Sequence, residues 1–117
     1  MRLLGEPRDV GVARAFLRRV LEAHEERGNA DSALAVLSEI VANAVVHGRG
    51  PVDVRVRMEE GAVELQVADT EPTLPTQREP ADDAEGGRGI AIVDALSHWW
   101  VEATERGKVV HARVPLR

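Results

Sequence analysis

Residues 52–58, VDVRVRM, alternate strictly between apolar Val52, Val54, Val56 and Met58 and polar Asp53, Arg55 and Arg57. After the turn EEG the alternation resumes with Val63, Leu65 and Val67 against Glu64 and Gln66. No other feature constrains the fold as strongly. Successive side chains of a strand point to opposite faces, so a period of two held across a tight turn demands an antiparallel hairpin with one covered and one wet face. HWWVEAT (98–104), the turn ERGK and VVHARVPL (109–116) predict a second hairpin.

A sheet that is wet on one side needs a layer over its dry side. Ala13, Phe16, Leu17, Val20 and Leu21 recur at helical spacing from Asp9 to about Arg27, and Gly28-Asn29 stops that helix. Asp31 or Ser32 is placed to cap a second helix that runs to His47 and is broken by Gly48 and GRGP. Between the hairpins, residues 70–87 (TEPTLPTQREPADDAEGG) hold three prolines and five acidic residues and predict a long irregular loop. RGIAIVDALS follows as a third, short helix, and Arg2–Leu4 is a candidate extra strand. The expectation is one domain over 1–117 of α+β class. It is a two-layer sandwich in which a mainly antiparallel sheet of four to five strands is covered on one face by three helices.

Composition narrows the chemistry. A net charge of −5 with no block of Lys or Arg argues against a nucleic-acid surface. With no cysteine there is no disulfide, thiolate or Cys-ligated zinc, which fits a reducing compartment. His24, His47, His98 and His111 show no ligand spacing. No apolar run approaches the roughly 20 residues of a membrane span, and the start MRLLGEPRDVG is too short in its apolar part for a signal peptide. A cytoplasmic protein is expected. Trp99 and Trp100, adjacent in a strand, must face opposite sides; one should fill the core and the other lie on the outer sheet face or near an edge.

Three polar features break the apolar pattern. In SEIVANAVVHG (38–48), Glu39, Asn43 and His47 stand four residues apart, one slanting stripe on a helix. Asp69 shares parity with Val63, Leu65 and Val67 and so points inward at the end of its strand. GGRGIAIV opens an apolar helix with glycines, whose backbone N–H groups and helix dipole favour an anion. Taken singly, the stripe also fits a solvated helix face, Asp69 a turn cap and the glycines a flexible loop exit.

Their order resembles the GHKL (Bergerat) ATP-binding fold, and within it the stand-alone anti-sigma-factor serine kinases. SEIVANAVVHG is similar to that family's N box, VADTEPTLP to a degenerate first glycine box, GGRGIAIVDAL to the second, and GKVVHARVPL to the closing strand. The resemblance implies ATP and Mg²⁺ as ligands, with Asn43 holding the metal and Glu39 as the carboxylate that accepts the proton of an attacking hydroxyl. It implies that Asp69 reads the adenine amino group and that Gly87, Arg88 and Gly89 meet the phosphates, under a lid formed by 70–87. The implied partners are a small antagonist protein carrying a serine and a sigma factor, with a homodimer formed through the first helix or the outer sheet face. The runner-up is a degenerate module that keeps a protein-binding surface without ATP turnover. A third likeness is the catalytic domain of a sensor histidine kinase, whose dimerisation helices and phospho-accepting His are not seen in this sequence. Four departures mark the chain: Glu71 in place of a small residue, Val46 in place of a basic one, Val109 in place of a hydroxyl residue that bridges adenine to the Asp, and lid acids Glu79, Asp82, Asp83 and Glu85.

Overall fold

The computed structural model describes residues 1–24, 28–47, 50–70 and 84–116, with the backbone alone for 84–89. In chain order its elements are β1 (Arg2–Leu3), α1 (Asp9–Ala23), α2 (Ala30–His47), β2 (Val52–Glu59), β3 (Ala62–Asp69), α3 (Ala84–Leu96), β4 (His98–Thr104) and β5 (Gly107–Pro115). The strands form one antiparallel sheet in the order β1-β2-β3-β5-β4, and the helices lie side by side as α1, α2, α3 on its inner face. The two-layer α+β sandwich read from the alternation is the fold observed, with both hairpins at their expected places.

Parity decides what each face holds. Val52, Val54, Val63, Leu65, Val67, Val110, Ala112 and Val114 are buried beneath the helices. From above they meet Leu17 and Leu21 of α1, Val36, Leu37, Ile40 and Val41 of α2, and Val93 of α3. Trp99 packs against this core and donates from Nε1 to Asp94 Oδ1 at 3.1 Å. Trp100 lies on the outer face, 40% exposed and stacked on His111 with ring centroids 4.9 Å apart. The expectation of one inward and one outward Trp holds.

Several boundaries differ from the sequence reading. Helix α1 ends at Ala23, where the His24 N–H bonds the Val20 carbonyl; residues 25–27 lie outside the described residues. Asp31 and Ser32 fall inside the first turn of α2 rather than before it. Asn29, at φ 47°, precedes the helix and its carbonyl accepts from the Ala33 N–H. Helix α3 begins at Ala84, so Ala84 to Gly87 belong to the helix rather than to the loop that the sequence predicts over 70–87. Helix α2, at 18 residues, is long and apolar enough to cross a membrane by length and composition, contrary to the reading that no run comes near a span. Its seven buried residues make it the central helix of the core.

One end of the sheet gathers the chain's polar features. Asp53 pairs with Ala68 and Asp69 with Lys108, so the start of β2, the end of β3 and the start of β5 coincide there. Helix α2 begins at the opposite end, where Asn29 Nδ2 donates to the Pro115 carbonyl at 3.4 Å, and so it runs toward the Asp69 end. Helix α3 runs the other way: it finishes just before His98, which pairs with Arg113 at the far end, so its first turns point back toward Asp69.

Candidate functional site

The last three turns of α2, the β3–β5 corner and the first turns of α3 therefore converge at one end of the sheet. On α2, Ser38 faces α1, because Arg14 Nη1 donates to its Oγ at 2.6 Å. At about 100° per residue Asn43 lies roughly 140° around the helix from Ser38, on the flank turned away from α1 and toward α3. Glu39 and Asn43 are half-buried, at the border between the core arc and solvent, and His47 is exposed in the last turn. The stripe thus stands at the seam between α2 and α3. An amide oxygen and a carboxylate one turn apart, half-shielded, are hard oxygen donors of the type Mg²⁺ takes while keeping several waters.

Asp69 occupies the floor of this corner. Its side chain is 2% exposed and faces the helices, as the alternation requires, and it accepts from Lys108 Nζ at 3.0 Å. Lys108, 6% exposed, is its cross-strand neighbour in the ladder. The backbone holds the corner tight: a Cβ on Gly107 would run into the Asp69 carbonyl oxygen and the Thr70 Cα.

The register changes the identity of one site residue. Val109, expected to stand in for a hydroxyl residue beside Asp69, pairs with Ala68 and turns to the outer face. Lys108 is the residue opposite Asp69. The signal for it was present in the sequence, since counting back by twos from the buried Val114, Ala112 and Val110 lands on Lys108. The intervening turn drew it into ERGK and concealed its inward parity.

Gly87, Arg88 and Gly89 are the fourth to sixth residues of α3, inside the helix rather than ahead of it. Their end of the helix carries the positive end of its dipole. Val46 is 73% exposed at the C-terminal end of α2. Glu71 and the lid acids Glu79, Asp82 and Asp83 lie outside the described residues, as does the Glu85 side chain. Among the described residues no group of three His, Asp or Glu side chains is placed to hold a metal.

A second polar cluster covers the outer face. Glu64 accepts from Gln66 Nε2 and from Arg57 Nη2, each at 2.9 Å. These contacts, the Gln66 hydrogen bond foremost, hold its carboxyl below the ordinary value against the opposing effect of burial. His111 Nε2 lies 3.0 Å from Glu102 Oε1 in a shallow groove of about 270 Å³. This lattice spans the sheet on the side away from Asp69.

Comparisons with known proteins bear on the whole chain. The model of the histidine kinase-like ATPase domain matches residues 3–114. Among curated proteins no sequence match is found. The histidine kinase domain of the blue-light activated histidine kinase from Erythrobacter litoralis EL346 superposes with TM-score 0.58 at 23% identity, over 88% of this chain and 60% of that one. A longer chain of that kinase gives 0.56 at 23%, over 87% and 41%. The Acinetobacter baumannii histidine kinase AdeS gives 0.56 at 13% identity, over 100% of this chain and 68% of that one. The chain thus spans about three fifths and two fifths of the first two structures. At these identities the likeness establishes the fold.

Proposed function

Since the chain belongs to the histidine kinase-like ATPase domain family, we propose that it binds ATP with Mg²⁺ and transfers the γ-phosphoryl group to a serine of a small antagonist protein, as an anti-sigma-factor-type kinase. The observation that carries this reading is the convergence of Glu39 and Asn43, Asp69, and the first turns of α3 at one end of the sheet. Asn43 would hold the magnesium, which when bound neutralises phosphate charge. Glu39 accepts the proton of the serine hydroxyl as Oγ bonds to the γ-phosphorus and the bond from that phosphorus to the bridging oxygen breaks, releasing ADP. Asp69 accepts from the base, and the positive end of the α3 dipole, with Gly87, Arg88 and Gly89, favours the phosphates. In this reading the protein is cytoplasmic, works as a homodimer, and holds a sigma factor while the antagonist is phosphorylated.

Calorimetric titration with ATP, with and without Mg²⁺, beside an Asn43→Ala variant, tests the proposal. Magnesium-dependent binding that the variant loses is the expected result. No heat at millimolar ATP would leave the second reading, a protein-interaction module without turnover, which the Lys108 ammonium already seated on Asp69 favours.

A further inference from the structure

The outer face of the sheet carries charges that the proposed chemistry leaves unused. Most are settled within the chain: Arg57 pairs with Glu59 and Glu64, Arg113 with Glu59, and His111 with Glu102. Asp53 and Arg55 are not. Among the described residues neither enters an ion pair, and Arg2, the ladder neighbour of Asp53 on β1, makes none with it. The two line the shallow groove on that face.

The register sorts the groove into two rows that cross the strands. Arg55, Gln66, His111 and Trp100 are successive ladder partners and make a row of bulky side chains. Asp53, Ala68, Val109 and Glu102 make the next row, which is small in its middle. All but Trp100 line the groove of about 270 Å³. Trp100 ends the bulky row, half out of the surface and braced by the rings of His111 and His98 at 4.9 and 5.6 Å. A rigid aromatic held in this way is an anchor for a partner.

A face with a bulky row beside a small one, and an unpaired cation beside an unpaired anion, is complementary to itself. Consider a two-fold axis that crosses the strands between the rows, above Val54, Val67, Val110 and Val101. It reverses each strand over its own copy and lays each row on the other. Arg55 then meets Asp53 of the second copy, and Asp53 meets its Arg55. Gln66 and His111 enter over Ala68 and Val109. The Trp100 indole N–H, which has no hydrogen bond among the described residues, comes opposite the Glu102 carboxylate. Moving the axis by one residue would set Arg55 against Arg55 or Asp53 against Asp53, so charge selects this register. The paired Arg57, Glu64 and Arg113 lie one row further out, as a polar rim.

We infer that this face docks, sheet on sheet and in that register, on a second copy of the chain. The inference rests on the proposed function only for the dimeric state, and gives that dimer its surface with or without a nucleotide.

The experiment is sedimentation velocity on the full chain at micromolar concentration, where the native chain should be a dimer. Asp53→Arg sets Arg against Arg55 across the axis, and Arg55→Asp sets Asp against Asp53, each at two symmetry-related places. Each variant alone should lose dimer affinity by about a hundredfold. Mixed together, the two should recover it as a heterodimer, because every contact then joins opposite charges. A chain carrying both exchanges should dimerise with itself and exclude the native chain. A native chain that stays monomeric overturns the inference. So do single variants, folded by circular dichroism, that dimerise as the native chain does, since the interface then lies elsewhere. A mixture that stays monomeric, or a double exchange that pairs with the native chain, overturns it too. Should a single variant not fold, the native chain and the double exchange decide. Calorimetry with ATP separates the two readings: a monomer that binds ATP sinks the interface alone, and a dimer that does not bind it sinks the nucleotide reading alone.

Discussion

Lys108→Met removes the ammonium from beside a carboxylate that is 2% exposed. At 3.0 Å, and with an effective dielectric of about 20, the direct attraction is about 5–6 kcal/mol. Desolvating two ions costs several kcal/mol each, so the net worth of the intact pair against an apolar replacement is small. Removing one partner is different, because the remaining charge keeps its desolvation penalty and loses this ion pair. The expected loss is about 3–5 kcal/mol, out of a total near 5–15 kcal/mol for a domain of this size. Urea unfolding followed by far-ultraviolet circular dichroism reads this directly. With an m-value of roughly 2 kcal/mol per molar, the midpoint should fall by about 2 M. The double variant Asp69→Leu/Lys108→Met should recover most of the loss, giving a coupling energy of several kcal/mol in the cycle. A single-variant loss below about 1 kcal/mol, the range of exposed pairs, would refute the reasoning and mean that water reaches the pair.

Three further outcomes are expected. Asp9→Ala deletes the acceptor of two backbone N–H bonds at 2.8 Å and should cost about 1–2 kcal/mol in the same urea assay. Gly107→Ala drives a methyl into the Asp69 carbonyl, and should lower stability by about 1–3 kcal/mol and weaken nucleotide binding together, read by thermal melting and calorimetry. Glu64 has its pKa lowered in the folded chain, so the stability it contributes is fully present above its ordinary value of 4.5. That contribution is lost as pH falls from there through the folded value. Unfolding free energy measured from pH 6 to pH 3 should therefore drop less steeply in Glu64→Gln than in the native chain.

Local chemistry made most of the architecture legible. The alternation at 52–58 and 63–67 carried both hairpin position and the inward parity of Asp69, because a period of two admits one choice of buried face. The helical spacing in α1 and α2 carried the covering layer, and the interval of four put Glu39 and Asn43 on one flank. Helix ends were less legible. Asn29 takes the position before α2 where the local pattern offers Asp31 or Ser32 as the cap, and its side chain reaches Pro115 across 86 residues of chain, a contact no local pattern contains.

By itself, then, the sequence determined which segments are strands and helices, which face of each is dry, and which polar residues break the apolar pattern. Those properties follow from periodicity, and periodicity is local. Only the tertiary structure decided what those residues meet. The register of β3 against β5 set Lys108, and not Val109, opposite Asp69, and the opposed directions of α2 and α3 brought the asparagine stripe and the glycine-bearing turns to the same end of the sheet. A one-residue slip in that register would exchange the two side chains between faces, and only the packing of the whole core penalises such a slip.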